Sequence, residues 1–428
     1  MYQQLEKKNF LEKLNDVLGY LGKKFQTLAR RNHECHVEPV ERNPNEIYKN
    51  FIVPYIKTET ALVGYDMFNP NYKLSFLLGF IFADVSVYLI INLIDIWIIW
   101  GCNLQTLVFC FVTWMLGWTG WMLIVTALQN IVRYNDLCTL VYEFGDMLNA
   151  KTESEEIKKY IEHSKMCKKL ILMTTVLCAG GGLICNFYPI VVYFITGNKI
   201  LPYGFFIPGV SMTENPGYLI NYFYQIFQCY CTVLGTMNST FHPYLFFISS
   251  AFFQVDNIII KLHKLNKRIE AKPHEDGNED DIRKLVMLHQ RFRNFLSTVD
   301  EAYNKMFFFN IVNYMLMTIC TLFVMVDKMW FVGYYMFLVN FGLILLPCAI
   351  GTAIEIKNDI LNNEIYDVSW YLLAPKERKI FTFFLFGVHT TDMPSCGGFL
   401  PLNINTFRLI YSKVYTLLMF LLDSQKKN

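Results

Sequence analysis

The stretch SKVYTLLMFLLD, residues 412–423, is apolar and helix-forming through its middle, yet it carries Lys413 near one end and Asp423 at the other. A helix of this kind fits three settings: lipid, a protein core, or the wall of a water-filled passage. Only the last accepts isolated ionisable groups readily. The rest of the sequence decides among them.

Of the 428 residues, 54% are hydrophobic and 17% are charged, whereas soluble globular domains carry roughly 25% charged residues. The composition predicts an all-α membrane protein. Runs near the length of about 20 residues that crosses the hydrocarbon of a bilayer fall near 74–94, 104–128, 170–195, 218–247, 306–326, 331–354 and 402–422. Seven transmembrane helices are expected. The first 70 residues show no apolar core followed by a small-residue cleavage site, so no signal peptide is expected.

Basic residues set the orientation. Segments 1–73, 129–169, 251–305 and 355–401 together hold 32 of the 38 Lys and Arg, whereas 95–103, 196–217, 327–330 and the tail hold 4. This bias predicts an intracellular N-terminus and an extracellular C-terminus, the reverse of a G-protein-coupled receptor. The expected organisation is a cytoplasmic N-terminal region at 1–73 and spans one to four within 74–247, with an outer loop at 196–217. Cytoplasmic extensions and a loop follow at 248–305, spans five and six at 306–354, anchor helices at 355–401, and span seven with the tail at 402–428.

Helical periodicity continues past the membrane ends. Ile258, Leu262, Leu265 and Ile269, then Leu285, Leu288, Phe292, Leu296, Val299 and Tyr303, recur every three or four residues. Leu137, Val141, Phe144 and Leu148 form another stripe, and Ile356 and Ile360 prolong span six. A projecting cytoplasmic bundle would bury these faces together. Between the first two series, EAKPHEDGNEDD (270–281) reads as a polar loop. The outer loop, with Pro202, Pro208 and Pro216 and several aromatics, is able to pack down as a lid.

Other chemistries find little support. Near-neutral net charge gives no reason to expect nucleic acid as a partner. The HECH cluster (His33–His36) has no second half of a ligand set. Twelve scattered cysteines imply no disulfide framework. AGGG (179–182) lies inside span three, where small residues permit close helix approach. No hydrolase, zincin, Walker or kinase motif occurs in a fitting context, so neither an enzyme nor a cofactor is expected. A seven-span transporter should show repeated halves or broken helices, and no internal symmetry is evident.

The sequence resembles the insect odorant receptors. LPYGFFIP through ENPGYLINYFYQ (201–225) is similar to that family's second extracellular loop leading into span four. The segment LVNFGLILLPCAIGTAIEIKNDILNNEIYDVSWYLLAPKERK resembles its sixth span and the stretch beyond it, with Tyr366 and Trp370. FLPLNINTFRLIYSKVYTLLMFLLD resembles its C-terminal signature, with the first aromatic shifted. The related gustatory receptors, the alternative of the same architecture, end in a Thr-Tyr and Gln-Phe pattern that is absent here.

The resemblance implies a ligand-gated cation channel, a tetramer whose pore is lined by the second half of span seven. The family's co-receptor has a longer insertion between spans four and five than 251–305 allows. That implies a ligand-selective subunit in a heterotetramer with the co-receptor, in the plasma membrane of sensory neurons. Thr416, Phe420, Asp423 and Ser424 share one helical face. By resemblance Phe420 falls at the apolar gate, Asp423 and Ser424 at the outer mouth and Lys413 in the inner half. A small volatile organic ligand calls for an apolar pocket with one or two polar groups. Candidates from spans two, three, four and six are Phe109, Thr113, Phe187, Val191, Tyr222, Ile226, Tyr335 and Val339.

Overall fold

A computed structural model describes residues 48–69, 75–100, 104–148, 154–230, 235–272, 278–327, 331–389 and 393–427. The HECH cluster lies outside these residues. A short π-helical turn, Tyr48–Ile52, leads into α1 (Val53–Val63). Next come α2 (Phe76–Ile99), α3 (Leu104–Gln129), α4 (Ile131–Met147), α5 (Ser154–Thr196), α6 (Gly217–Gln228) and α7 (Thr236–Ala271). The chain continues through α8 (Asn278–Asp327), α9 (Phe331–Tyr366) and α10 (Pro375–His389). A hairpin of β1 (Ser395–Cys396) and β2 (Leu400–Pro401) then precedes α11 (Ile404–Lys427).

Among the described residues, six helices are long and apolar enough to cross a membrane: α2, α3, α5, α7, α8 and α9. Several threonine hydroxyls inside them are answered locally, which suits a setting with no water at hand. Thr119, Thr126, Thr174, Thr240 and Thr321 each donate to a carbonyl one turn back in their own helix. The expected seventh span forms α11, less apolar than the others because Arg408, Lys413, Asp423, Lys426 and Lys427 lie within it.

Of the run expected at 218–247, the described residues form α6 and α7, with π-type turns at 229–230 and at 235. Gly235, a poor helix former, takes the last of these turns, and such turns accompany functional sites. α7 is the hub of the fold. Its apolar window is 89% buried, compared with 33% for α2, so α7 meets protein on all sides while α2 presents most of its surface outward.

The stripes beyond the membrane runs form one core. Ile258, Leu262, Leu265 and Ile269 of α7 interlock with Leu285, Phe292, Leu296, Val299 and Tyr303 of α8 and with Leu137, Val141 and Leu148. Tyr244 anchors it, with ring centroids 5.1 Å from Tyr303 and 4.8 Å from Phe307. Ile356 and Ile360 depart from the expectation: they are 54% and 41% exposed. The buried edge of α9 is instead Ile350, Ile354, Leu361 and Ile365, one helical face around from the predicted pair.

Charges join these helices at their extended ends. Asp256 of α7 receives His163 of α5 at 2.8 Å and also Lys357 of α9. Glu156 of α5 holds Lys264 at 2.7 Å. The β-hairpin then aims α11. Asp300 of α8 accepts the Ser395 hydroxyl at 2.9 Å, and Gly351 leaves room for the Leu402 carbonyl, which stands 1.7 Å from where a Cβ would be. Asn403 caps α11 by accepting the Thr406 amide at 3.0 Å.

Candidate ligand cavity

Two cavities lie within the helix bundle. The loop-side cavity is lined by residues of α2, α3, α5, α6, α7 and α9 and by the 197–216 loop. The deep cavity lies further along α5 and α9 and gains a wall from α8. Cys178, Met237, Val339 and Leu343 line both and so form the partition between them. Among the described residues, no Asp, Glu, Lys, Arg or His lines either cavity.

The loop closes the first cavity by folding its own backbone onto helix side chains. Tyr203 and Phe205 enter the cavity wall. Gln225 of α6 holds both: its Oε1 accepts the Tyr203 amide at 2.8 Å, and its Nε2 donates to the Phe205 carbonyl. Asp95 of α2 accepts the Phe206 amide at 2.8 Å, and Asn221 accepts the Ile207 amide at 2.7 Å. Gly204, at φ +72°, leaves the space that the Phe109 ring fills, 2.4 Å from a would-be Cβ. This is the lid that the proline- and aromatic-rich sequence suggested.

The residues selected from the sequence divide. Tyr335 and Val339 line the loop-side cavity, and Val339 the deep one too. Phe109 packs behind Gly204 instead of against the cavity. Thr113 is fully buried and bonds Asn92 at 3.1 Å, so it joins α3 to α2. Tyr222 donates to the Asn186 carbonyl at 2.7 Å, joining α6 to α5. Ile226 is half-buried and outside both linings. Phe187 and Val191 are 56% and 51% exposed and face away from the cavities.

On α5 the inward face is Cys178, Gly182 and Cys185. An α5 segment that is apolar all round gives hydropathy no face to detect; the run of small residues among bulky ones was the available signal. Gln225, Gln228 and Met237 were also missed. The two glutamines could have been found as amides in an apolar run, which require partners.

On α11, Val414 is buried, whereas Lys413, Thr416, Asp423 and Ser424 are exposed and Phe420 is 69% exposed. The Thr416 hydroxyl is satisfied by the Ser412 carbonyl at 2.9 Å. The face grouped from the sequence is therefore one continuous surface that this chain alone leaves uncovered.

The family model of the 7tm odorant receptors matches residues 101–415. The chain belongs to the odorant receptor family. A Drosophila melanogaster sequence named odorant receptor 83c is 21% identical over 248 residues, covering 55% of this chain; the match spans 62% of that relative's length. Among solved structures, the insect olfactory receptor OR5 from Machilis hrabei in complex with eugenol has the same fold, with a TM-score of 0.72 and 12% identity, over 89% of this chain and 100% of that one. OR5 solved without that ligand gives 0.71 at 12% identity, over 88% and 99%. This odorant receptor is thus a multi-pass, nearly all-helical membrane protein of the insect type.

Proposed function

We propose that this odorant receptor is the ligand-selective subunit of a cation channel, that it binds a small volatile molecule in the loop-capped cavity, and that it opens a pore shared with co-receptor subunits in a heterotetramer. The observation that carries this reading is the loop-side cavity itself: apolar, free of charged residues among the described ones, and covered by a loop pinned to Gln225, Asn221 and Asp95. Such a site suits a small uncharged molecule. That OR5 was solved with eugenol in the same fold supports the class of ligand.

The pore assignment is supported by α11. Its surface is exposed along Lys413, Thr416, Phe420 and Asp423, the mixture a helix needs to face water on one side and neighbouring subunits on the others. The division of basic residues supports an intracellular N-terminus, with the 197–216 loop outside, and residence in the plasma membrane of a sensory neuron accords with the channel role.

The test is current recorded from cells expressing this chain with the co-receptor, with the co-receptor alone, and with this chain alone, across a panel of volatiles. Odorant-evoked cation current that requires both chains is the expected result. Absence of any evoked current, with both chains at the cell surface, would overturn the channel reading.

A further inference from the structure

The two cavities differ in what their polar groups are already doing. In the loop-side cavity each amide and hydroxyl is committed. Gln225 is used at both ends by the loop, and Gln228 donates to Asp84 at 2.6 Å. The Tyr88 hydroxyl donates to the Thr113 carbonyl at 2.7 Å, Tyr203 to the Cys229 sulfur at 2.8 Å, and Tyr335 to the Leu177 carbonyl at 3.4 Å. The last is the weakest of the set. A ligand oxygen placed there would have to compete with bonds that hold the fold together.

The deep cavity is the reverse. Asn310 and Tyr314, one turn apart on α8, line it while only 6% and 5% exposed. Neither side chain has a hydrogen-bond partner among the described residues, and the same holds for Asn238 across the cavity. Buried polar groups without partners are rare in native proteins and call for a water, an ion or a ligand. Among the described residues of the wall no side chain is charged, which suits a neutral group. The partition is adaptable: Met237 is unbranched and rotates easily, and it shares the divide with Cys178, Val339 and Leu343.

The geometry points to a two-chamber ligand site that takes an elongated neutral molecule, its single hydroxyl or carbonyl held by Asn310 and Tyr314 in the deep cavity and its apolar chain passing Met237 into the loop-side cavity. This deepens the proposed function, resting on its ligand reading but not on its channel reading. Chain length is then a determinant of recognition. Molecules that fill only the loop-side cavity leave Asn310 and Tyr314 to water, and their polar group makes no protein bond that is not already taken.

Binding is tested apart from gating. The purified chain in detergent is titrated with the primary alcohols from hexanol to tetradecanol and with the matching alkanes, and thermal stabilisation is followed. Longer alcohols should stabilise more than shorter ones and more than their alkanes. Asn310→Leu and Tyr314→Phe should each weaken alcohol binding by about tenfold, the loss of one hydrogen bond to a buried group, and leave alkane binding unchanged. Met237→Phe, which narrows the partition, should shift the preference to shorter chains.

Three outcomes would overturn the proposal: alcohols and alkanes binding alike, no effect from either variant in a folded protein, or loss of alcohol selectivity in Tyr335→Phe instead. Tyr314→Phe keeps the ring and serves if Asn310→Leu fails to fold. Alcohol binding that follows the expected pattern without any evoked current in the co-expressed pair would support the two-chamber site and overturn the channel reading.

Discussion

The Tyr335 hydroxyl stands 1.3 Å from the position a Cβ would take on Gly181. α9 therefore reaches α5 at a point where only glycine leaves room, and the tyrosine that does so also forms part of the loop-side cavity wall. Gly181→Ala must displace Tyr335. Because the clash is with the end of a side chain that can rotate toward the cavity, the expected outcome is a folded receptor with a smaller loop-side cavity. Overpacking of this kind destabilises by about 1–3 kcal/mol. Dose-response curves should show potency falling for bulky ligands more than for slender ones; equal potency across both would mean that Tyr335 moves away from the cavity.

Gln225 offers a test of the lid. Its amide holds Tyr203 and Phe205 together, and no other side chain contacts both of these backbone groups among the described residues. Gln225→Ala frees one buried amide and one carbonyl in the loop, each costing about 1–3 kcal/mol if left unpaired. The loop should open more often, so current should decay faster after ligand washout. Asn221→Ala, which releases the Ile207 amide, should act in the same direction. Unchanged washout kinetics in both would show that the ligand enters and leaves by another route.

The extended ends of α5, α7, α8 and α9 predict where stability resides. Leu262 is fully buried between α7 and its neighbours, whereas Ile360 on α9 is 41% exposed. Leu262→Ala should destabilise by about 2–5 kcal/mol, and Ile360→Ala by about 0.5 kcal/mol or less as a surface change. Melting temperatures of the two purified variants check this. If Ile360→Ala proves as damaging as Leu262→Ala, the exposed face of α9 is covered in the assembled protein.

The helices could be read from the sequence because apolar runs and three-to-four spacing are local properties, and Leu262, Phe292 and Leu137 fell into the core as their periodicity required. Facing was harder. Ile356 and Ile360 satisfy the same spacing as Ile354 and Leu361, and nothing local tells which side of an apolar helix meets protein. Within the membrane-spanning helices the difficulty is sharper, since Phe187 on the outer surface and Cys185 toward the cavity lie in equally apolar stretches. Tyr335 was recoverable because a hydroxyl in an apolar run needs a partner. Met237 was not, because a methionine is at home on either side.

Orientation has its own check. The 32 to 4 division of Lys and Arg leads us to expect an epitope tag at the N-terminus to be labelled only after permeabilisation, and one following Asn428 to be labelled on intact cells. Labelling of the N-terminal tag on intact cells would invert the receptor, placing the 197–216 loop inside, and would remove both the lid and the pore-mouth assignments.

The most demanding prediction concerns α11. Its exposed face carries Phe420, 69% exposed, and Asp423 one turn further on. If this face lines the passage, a carboxylate at Asp423 raises the local concentration of cations, as acidic rings do in cation channels. In the proposed heterotetramer, with fewer than four copies of this chain, the ring is partial, so the effect should be moderate. Asp423→Asn should lower the permeability of divalent relative to monovalent cations, and Asp423→Lys should lower it further, with odorant potency little changed because the cavities lie in another part of the bundle. Phe420→Ala should raise resting current, since removing a large apolar group from a narrow point lets water stay where it was expelled. Reversal potentials in mixed calcium and sodium solutions, together with resting current measured at matched surface expression, read both effects. Should selectivity and resting current stay at wild-type values in all three variants, this face meets lipid or a neighbouring subunit, and Lys413 and Asp423 serve only to place the two ends of α11 at the membrane surfaces.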